Sequence, residues 1–300
     1  MFKFNKPQHV YQIENVHVGG QPGEFPTVLI GSIFYNKHQI VHDAQRGLFN
    51  EEKARQQILC ETEVAATTGC QRIIDPIGET GAALINYINF CAALTNAPIL
   101  VDSPVPAARL EVLRHFAGSD IMPRLIYNSI AEDYTEQELA CIKECGVKTA
   151  IVLAFSTAAM RPKDRIALLN KKLLPAAEQA GVENVLIDPG VLDIPSVSWA
   201  ARTIYEIKET FGFPAGCAPA NALFMWEKVR QHGTAAFQAA AISVYALAQA
   251  HGADFIFYGP MRFAPWVYPA CAAMDAMLAY EGRFSGIRPA TNNHPLFKIF

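Results

Sequence analysis

The chain has 300 residues, room for one large domain or two small ones. Hydrophobic residues make up 51% of it and charged residues 18%, which excludes disorder and supplies a large core. The net charge is −3 and no basic block occurs, so nucleic acid and anionic membrane surfaces are excluded as expected partners. The N-terminus Met1-Phe-Lys-Phe-Asn-Lys-Pro lacks the apolar stretch of a secretory signal. No uninterrupted run reaches the ~18 apolar residues of a membrane span. The nearest, Ala235 to Ala250, is broken by Gln238 and Gln249 and reads as an Ala-rich packing helix. Seven cysteines without a Cys-x-x-Cys pair read as reduced thiols of a cytoplasmic protein.

In chain order, residues 1–26 stand apart. Val10-Tyr-Gln-Ile and Val16-His-Val predict two short strands, followed by the turn-rich Gly19-Gly-Gln-Pro-Gly. A hairpin plugging one end of a barrel fits. The glycines lack the Gly-x-Gly-x-x-Gly spacing of a dinucleotide fingerprint. From Thr27 onward, strand-length apolar runs alternate with helix-length amphipathic stretches. The expected strands are Val28–Phe34, Arg72–Asp75, Ile99–Asp102, Arg124–Asn128, Thr149–Ala154, Val185–Asp188, Pro214–Cys217 and Asp254–Tyr258. Nearly continuous apolar runs predict strands buried on both faces. Between them, Asn50 before Glu51 and Glu52 reads as an N-cap, Thr135 with Glu138 as a capping box, and Pro162 as a first-turn proline. Gly69, Gly146, Gly181, Gly212 and Gly252 each close a helical stretch before the next strand, the place of a left-handed C-cap.

This rhythm predicts an α/β fold, a (β/α)8 TIM barrel with an N-terminal β-hairpin extension, as one domain over residues 1–300. The rival is an open doubly wound sheet. Polar residues at the ends of strands two to seven favour closure, because a closed ring brings them together.

Those polar residues are the chemical signal. Asp75 follows Arg72-Ile-Ile, Asp102 follows Ile99-Leu-Val, Asn128 follows Leu125-Ile-Tyr and Asp188 follows Val185-Leu-Ile, while Asn221 ends Gly216-Cys-Ala-Pro-Ala-Asn. A strand that ends in a carboxylate or amide delivers one polar group to the C-terminal mouth of a barrel. Carboxylates only accept hydrogen bonds, whereas an amide both donates and accepts. The set suits a flat ring bearing an amino group, ring N–H groups and a carbonyl, as in a reduced pterin. Ordinary roles compete: Asp102, Asn128 and Asp188 could bond neighbouring loops, and Asn221 could cap a helix from Ala222 onward. Glu79, four residues after Asp75, could pair with it for acid–base work, or Glu79 or Thr80 could start the next helix. Gly216 and its small neighbours would let a ligand approach the backbone. No metal site is expected. His38 and His42 read as surface residues without a third ligand, and Cys141 and Cys145 as two buried thiols on one helix.

Val18-Gly-Gly-Gln-Pro-Gly-Glu, Leu29-Ile-Gly-Ser-Ile-Phe-Tyr, Tyr127-Asn-Ser-Ile, Ile151-Val-Leu-Ala-Phe and Gly216-Cys-Ala-Pro-Ala-Asn-Ala resemble the H-subunit family of tetrahydromethanopterin S-methyltransferase. That family is similar to the wider pterin-binding, corrinoid-dependent methyltransferases. The resemblance implies a (β/α)8 barrel that binds a tetrahydropterin in its mouth and exchanges a methyl group with a corrinoid cobalt. By position, Asp102, Asn128 and Asp188 match pterin-anchoring residues and Asp75 a second-strand aspartate of varying role. Asn221 matches the asparagine that hydrogen-bonds the methyl-bearing pterin nitrogen, which makes it the expected catalytic residue. After it, Ala222-Leu-Phe departs from relatives with small or polar residues there. Bacterial relatives use tetrahydrofolate in the demethylation of methylamines or betaines.

The expected function is therefore methyl transfer between methylcobalamin on a separate corrinoid protein and tetrahydrofolate, tetrahydromethanopterin or a related pterin, without a metal of the protein's own. An apolar stretch from Phe263 to Tyr280 suggests a homodimer. Two alternatives stay open. The chain could be a docking subunit of a larger methyltransferase complex. It could also be a pterin enzyme of other chemistry, such as pteroate synthesis, although that reaction handles a pyrophosphate and Arg262 stands nearly alone after the last strand.

Overall fold

The computed structural model describes residues 3–299. An antiparallel hairpin, β1 (Val10–Ile13) and β2 (Val16–Gly19), comes first. Eight parallel strands follow: β3 (Val28–Ile33), β6 (Arg72–Pro76), β7 (Ile99–Asp102), β8 (Leu125–Ile130), β9 (Thr149–Leu153), β10 (Asn184–Asp188), β11 (Gly216–Cys217) and β12 (Phe255–Pro260). They pair in the order β10-β9-β8-β7-β6-β3-β12-β11. The ring closes where the Ile187 N–H donates to the Pro214 carbonyl at 2.9 Å and Ile187 bridges Ala215. All eight expected strands are present, within a few residues of the expected bounds. A second hairpin, β4 (Val41–Asp43) with β5 (Leu48–Phe49), was not expected and lies in the connection after β3.

The connecting helices are α1 (Glu51–Thr68), α2 (Gly81–Leu94), α3 (Pro106–Phe116), α4 (Glu136–Glu144), α5 (Pro162–Leu168), α6 (Leu174–Gln179), α7 (Ile194–Thr210), α8 (Pro219–Met225), α9 (Glu227–Gln231), α10 (Thr234–Ala250) and α11 (Ala264–Gly282). The Asn50 side chain caps α1 through the Lys53 N–H, and Pro162 opens α5. The five expected C-cap glycines all take positive φ, between 71° and 90°. The Thr135 box is only half formed. Thr135 accepts the Glu138 N–H, but Glu138 is buried and accepts the Tyr127 hydroxyl at 2.7 Å. No described helix is long and apolar enough to cross a membrane.

Two cores result from the period-2 alternation of strands. Outward-facing Leu29, Ile74, Val101, Tyr127, Val152 and Ile187 pack against the helices. Inward-facing Ile30, Ile73, Leu100, Ile126, Ile151, Leu186 and Phe255 fill the barrel, and Ile13, Val16 and Val18 of the hairpin join that cluster. The hairpin therefore plugs the N-terminal end, as expected. A buried ion pair ties this end together: Lys208 Nζ donates to both Asp254 oxygens, at 2.5 and 2.6 Å, and to the Gly20 carbonyl at 3.0 Å.

Two readings need correction. His38 is buried rather than on the surface, because its Nδ1 accepts the Phe34 N–H at 3.0 Å and its ring stacks on Tyr35. His42 is exposed. Cys141 is buried but Cys145 only half so, their sulfurs 3.9 Å apart, and all seven cysteines are free.

Candidate active site at the barrel mouth

Each inward-facing series ends on the residue two further along its strand. Ile30 leads to Ser32, Ile73 to Asp75, Leu100 to Asp102, Ile126 to Asn128, Ile151 to Leu153 and Leu186 to Asp188. These side chains form the top layer of the barrel. With Ile77, Arg109, Ser129, Ala218, Ala220, Asn221, Phe257 and Gly259 they line one cavity of about 300 Å³ at the C-terminal mouth. Five of the expected site residues, Asp75, Asp102, Asn128, Asp188 and Asn221, meet there.

Strand register sets the internal contacts. Ser32 is the register partner of Asp75, and its hydroxyl donates to Asp75 Oδ2 at 2.6 Å. Asp102 is the partner of Asn128, whose Nδ2 donates to Asp102 Oδ2 at 3.1 Å. Asp188 Oδ1 accepts the Gly190 N–H at 2.7 Å. Asn221 lies in the first turns of α8, exposed, and its side chain makes no hydrogen bond to another described residue. Its capping role is thus not taken up; Ala218 stands at that position.

Burial dominates the electrostatics. It raises the Asp75 carboxyl well above the usual range, and the neighbouring Asp102 charge adds to this. Burial also raises Asp102, while a hydrogen bond from Asp75, the Arg109 charge and Asn128 oppose it. Asp75 Oδ1 is buried and unpartnered unless a proton links it to Asp102. Two adjacent buried carboxylates resist ionising together, which favours a proton shared between them. Asp188 is pushed up to about 6 by burial, against the Gly190 N–H and the Arg165 charge. It is mostly ionised at pH 7.

Glu79 and Gly216 stand apart. Glu79 accepts from Asn36 Nδ2 at 2.8 Å and Gln45 Nε2 at 3.1 Å and does not line the cavity, and Thr80 caps α2. Gly216 serves packing: a Cβ there would lie 2.1 Å from the Phe255 carbonyl oxygen. Three contributors went unforeseen. Ser32 obeys the same two-residue rule from Ile30 and was legible. Arg109 reaches in from α3, bonding Tyr127 and the Ser103 carbonyl, and Arg165 lies fully buried on α5 near Asp188. Neither is marked by any spacing in the sequence. Among the described residues no group of three His, Cys, Asp or Glu side chains is placed to hold a metal ion.

Fold and site define a TIM barrel whose C-terminal mouth is a polar, ligand-sized pocket rich in carboxylates and amides. Residues 6–290 match the family described as "Tetrahydromethanopterin S-methyltransferase MtrH subunit", and the chain belongs to that family of methyltransferase subunits. It is 32% identical over 312 residues to the H-subunit of tetrahydromethanopterin S-methyltransferase of Methanothermobacter thermautotrophicus, covering 100% of each chain. It is 34% identical over 307 residues to the H-subunit of the putative methyltransferase mtx of Methanosarcina barkeri, covering 99% of each. Among solved structures it is similar to dihydropteroate synthase of Xanthomonas albilineans, with a TM-score of 0.63 at 17% identity over 91% of this chain and 98% of that one. The Thermus thermophilus synthase gives a TM-score of 0.59 at 16% identity over 90% and 100%. These likenesses establish the barrel fold.

Proposed function

We propose that the chain transfers a methyl group between methylcob(III)alamin on a separate corrinoid protein and tetrahydrofolate or a related tetrahydropterin, giving methyltetrahydropterin, cob(I)alamin, which keeps the electron pair of the broken cobalt–carbon bond, and a proton released from the ring nitrogen to solvent. The observation that carries this reading is the convergence of Asp75, Asp102, Asn128, Asp188 and Asn221 on one cavity of about 300 Å³, at the lower end of ligand-pocket sizes. The likeness to pterin-handling barrels and the family membership support it.

Ionised Asp188 accepts from the amino and ring N–H groups of the pyrimidine edge. Asn128 spends one N–H on Asp102, which leaves its amide oxygen for the ligand. The proton shared by Asp75 and Asp102 makes that corner both donor and acceptor. The corrinoid supplies a cobalt-bound methyl group open to displacement by a ring nitrogen. Holding that nitrogen in line is the main contribution of the barrel, because catalysis here is positioning. Asn221, with its amide uncommitted at the lip, hydrogen-bonds the ring nitrogen differently before and after methylation, which is how binding energy becomes rate. The corrinoid protein seats over the mouth. The exposed Met277, Tyr280 and Phe284 near the C-terminus support a homodimer.

The test is an anaerobic mixture of protein, methylcobalamin and tetrahydrofolate followed spectrophotometrically. Protein- and pterin-dependent formation of cob(I)alamin is expected. Its absence, with tetrahydromethanopterin tried as well, would leave a docking subunit.

A further inference from the structure

A second cavity of about 320 Å³ opens beside the mouth, lined by Phe224, Arg230, Gly233, Thr234, Phe237, Arg262 and Phe263. It adjoins the first across α8. Asn221 and Phe224 are three apart on α8, so they neighbour each other on one helix face. Asn221 lines the mouth and Phe224 the second cleft. Gly259 marks the threshold. It lines the mouth at φ +90°, and a Cβ on it would lie 3.3 Å from the Phe224 ring and 3.1 Å from Ala220.

The cleft combines two chemistries. Phe224 and Phe263 lie nearly parallel at 6.4 Å, and Phe237 leans on both at 6.2 and 5.8 Å, a half-exposed aromatic wall. Arg230 and Arg262 stand on that wall, 5.2 Å from the Phe224 ring centre and 5.0 Å from that of Phe263. Arg230 donates to the Phe224 carbonyl at 3.0 Å and Arg262 to the Tyr35 hydroxyl. Among the described residues neither guanidinium pairs with a carboxylate. Both charges are therefore fixed in place and left to an outside anion. The first turn of α10 opens at Gly233 without a side-chain cap or an acidic residue, adding positive potential.

We propose that this cleft holds the aryl tail of the pterin substrate, its benzene ring against Phe224, Phe237 and Phe263 and its terminal carboxylates on Arg230 and Arg262. The inference rests on the pterin reading above and deepens it: it makes the substrate a tail-bearing, anion-terminated pterin. Planar guanidiniums suit carboxylates because they bond both oxygens at once. Phe237 and Phe263 also pack on the core beneath them, whereas Phe224 is exposed; a benzene ring laid on the wall covers the apolar area these side chains leave open.

Calorimetry on the full chain tests it with three probes: 6-methyltetrahydropterin, which has no tail, tetrahydrofolate, and its triglutamate. Wild type should bind the probes in rising order of affinity. Arg230→Gln and Arg262→Gln should each weaken the two tailed probes by about tenfold, the worth of one charge-assisted contact, and shift the tailless one less than twofold. Equal weakening of all three, or no change in any, overturns the tail site while leaving the pterin site standing. Unchanged pterin binding with a raised KM for methylcobalamin would assign the arginines to the corrinoid and overturn it too. If wild type binds none of the three, the pterin reading itself falls and the tail site with it.

Discussion

Replacing Asp188 by Asn should make the unliganded protein more stable, and only above a certain pH. The carboxylate is buried at the mouth and titrates at about 6, against about 3.9 in an unfolded chain. The folded state thus holds its proton to higher pH than the unfolded state. Below pH ~4 both states are protonated and nothing is lost. As pH rises through about 6 the folded form must carry a buried charge, and stability falls. Two units correspond to about 3 kcal/mol. Asparagine keeps an oxygen to accept the Gly190 N–H but has no charge to bury, so it escapes this cost. With an unfolding entropy of about 2.1 cal/mol/K per residue, the 300 residues convert the gain to a rise in melting temperature of about 5 °C.

Scanning calorimetry of wild type and Asp188→Asn from pH 4.5 to 8 reads this directly. The other buried acids bend both curves alike, so the difference isolates Asp188. It should grow from about 1–2 °C at pH 4.5 to about 5 °C above pH 7, while pterin binding is lost, because the amide presents N–H groups to a donor-rich edge. A difference that stays flat with pH, or a variant less stable at pH 8, would refute a carboxylate held at a cost for its ligand.

Other outcomes follow from the same geometry. Pterin affinity should rise with pH through about 6 as Asp188 ionises and level off above, measured by titration calorimetry; a flat profile removes Asp188 from the ligand. On the proposed role of Asn221 in the transition state, Asn221→Ala should lower turnover by about tenfold or more and leave pterin affinity within about twofold; equal losses would make it a binding residue. Arg165→Met should raise the Asp188 titration point and shift the pH–affinity curve upward, since the arginine charge opposes the burial effect; an unmoved curve would show that Gly190 alone sets it. Lys208→Met strands the Asp254 charge and should cost about 3–5 kcal/mol, seen as a lower melting temperature that Lys208→Met with Asp254→Asn partly restores.

What the sequence discloses here depends on how local the physics is. The eight barrel strands are buried on both faces, so each appears as a short apolar run in one stretch of chain. Four polar tips, Asp75, Asp102, Asn128 and Asp188, could be read because each sits at a fixed offset from such a run, and closure of the ring is what turns that offset into proximity; Asn221 was read from the turn after β11 and sits on α8 instead. Ser32 follows the same offset but hides behind Gly31, in a motif that looks like ordinary strand. The first-strand connection shows the opposite case. His38 is polar and follows a turn, so it reads as surface, yet the fold gives its ring nitrogen the Phe34 N–H to accept and buries it.

Arg109, Arg165, Arg230 and Arg262 mark the boundary of that legibility. Each comes from a helix or a loop, and its meaning lies in a neighbour dozens of residues away or on another element. Arg262 looks solitary in the sequence because Arg230 stands 32 positions earlier, brought opposite it only when α9 folds beside the end of β12. The acids proposed to orient a ring are written along the strands. The cations proposed to place its charges are written in the packing of helices around them, so on that proposal variants of this barrel would change the tail they accept through α8 to α10 without altering a strand. Exchanging Phe224 through Phe237 between two relatives should therefore transfer preference for the tail while leaving affinity for a tailless pterin where it was, and transfer of both together would mean that strand tips and cleft form one undivided site.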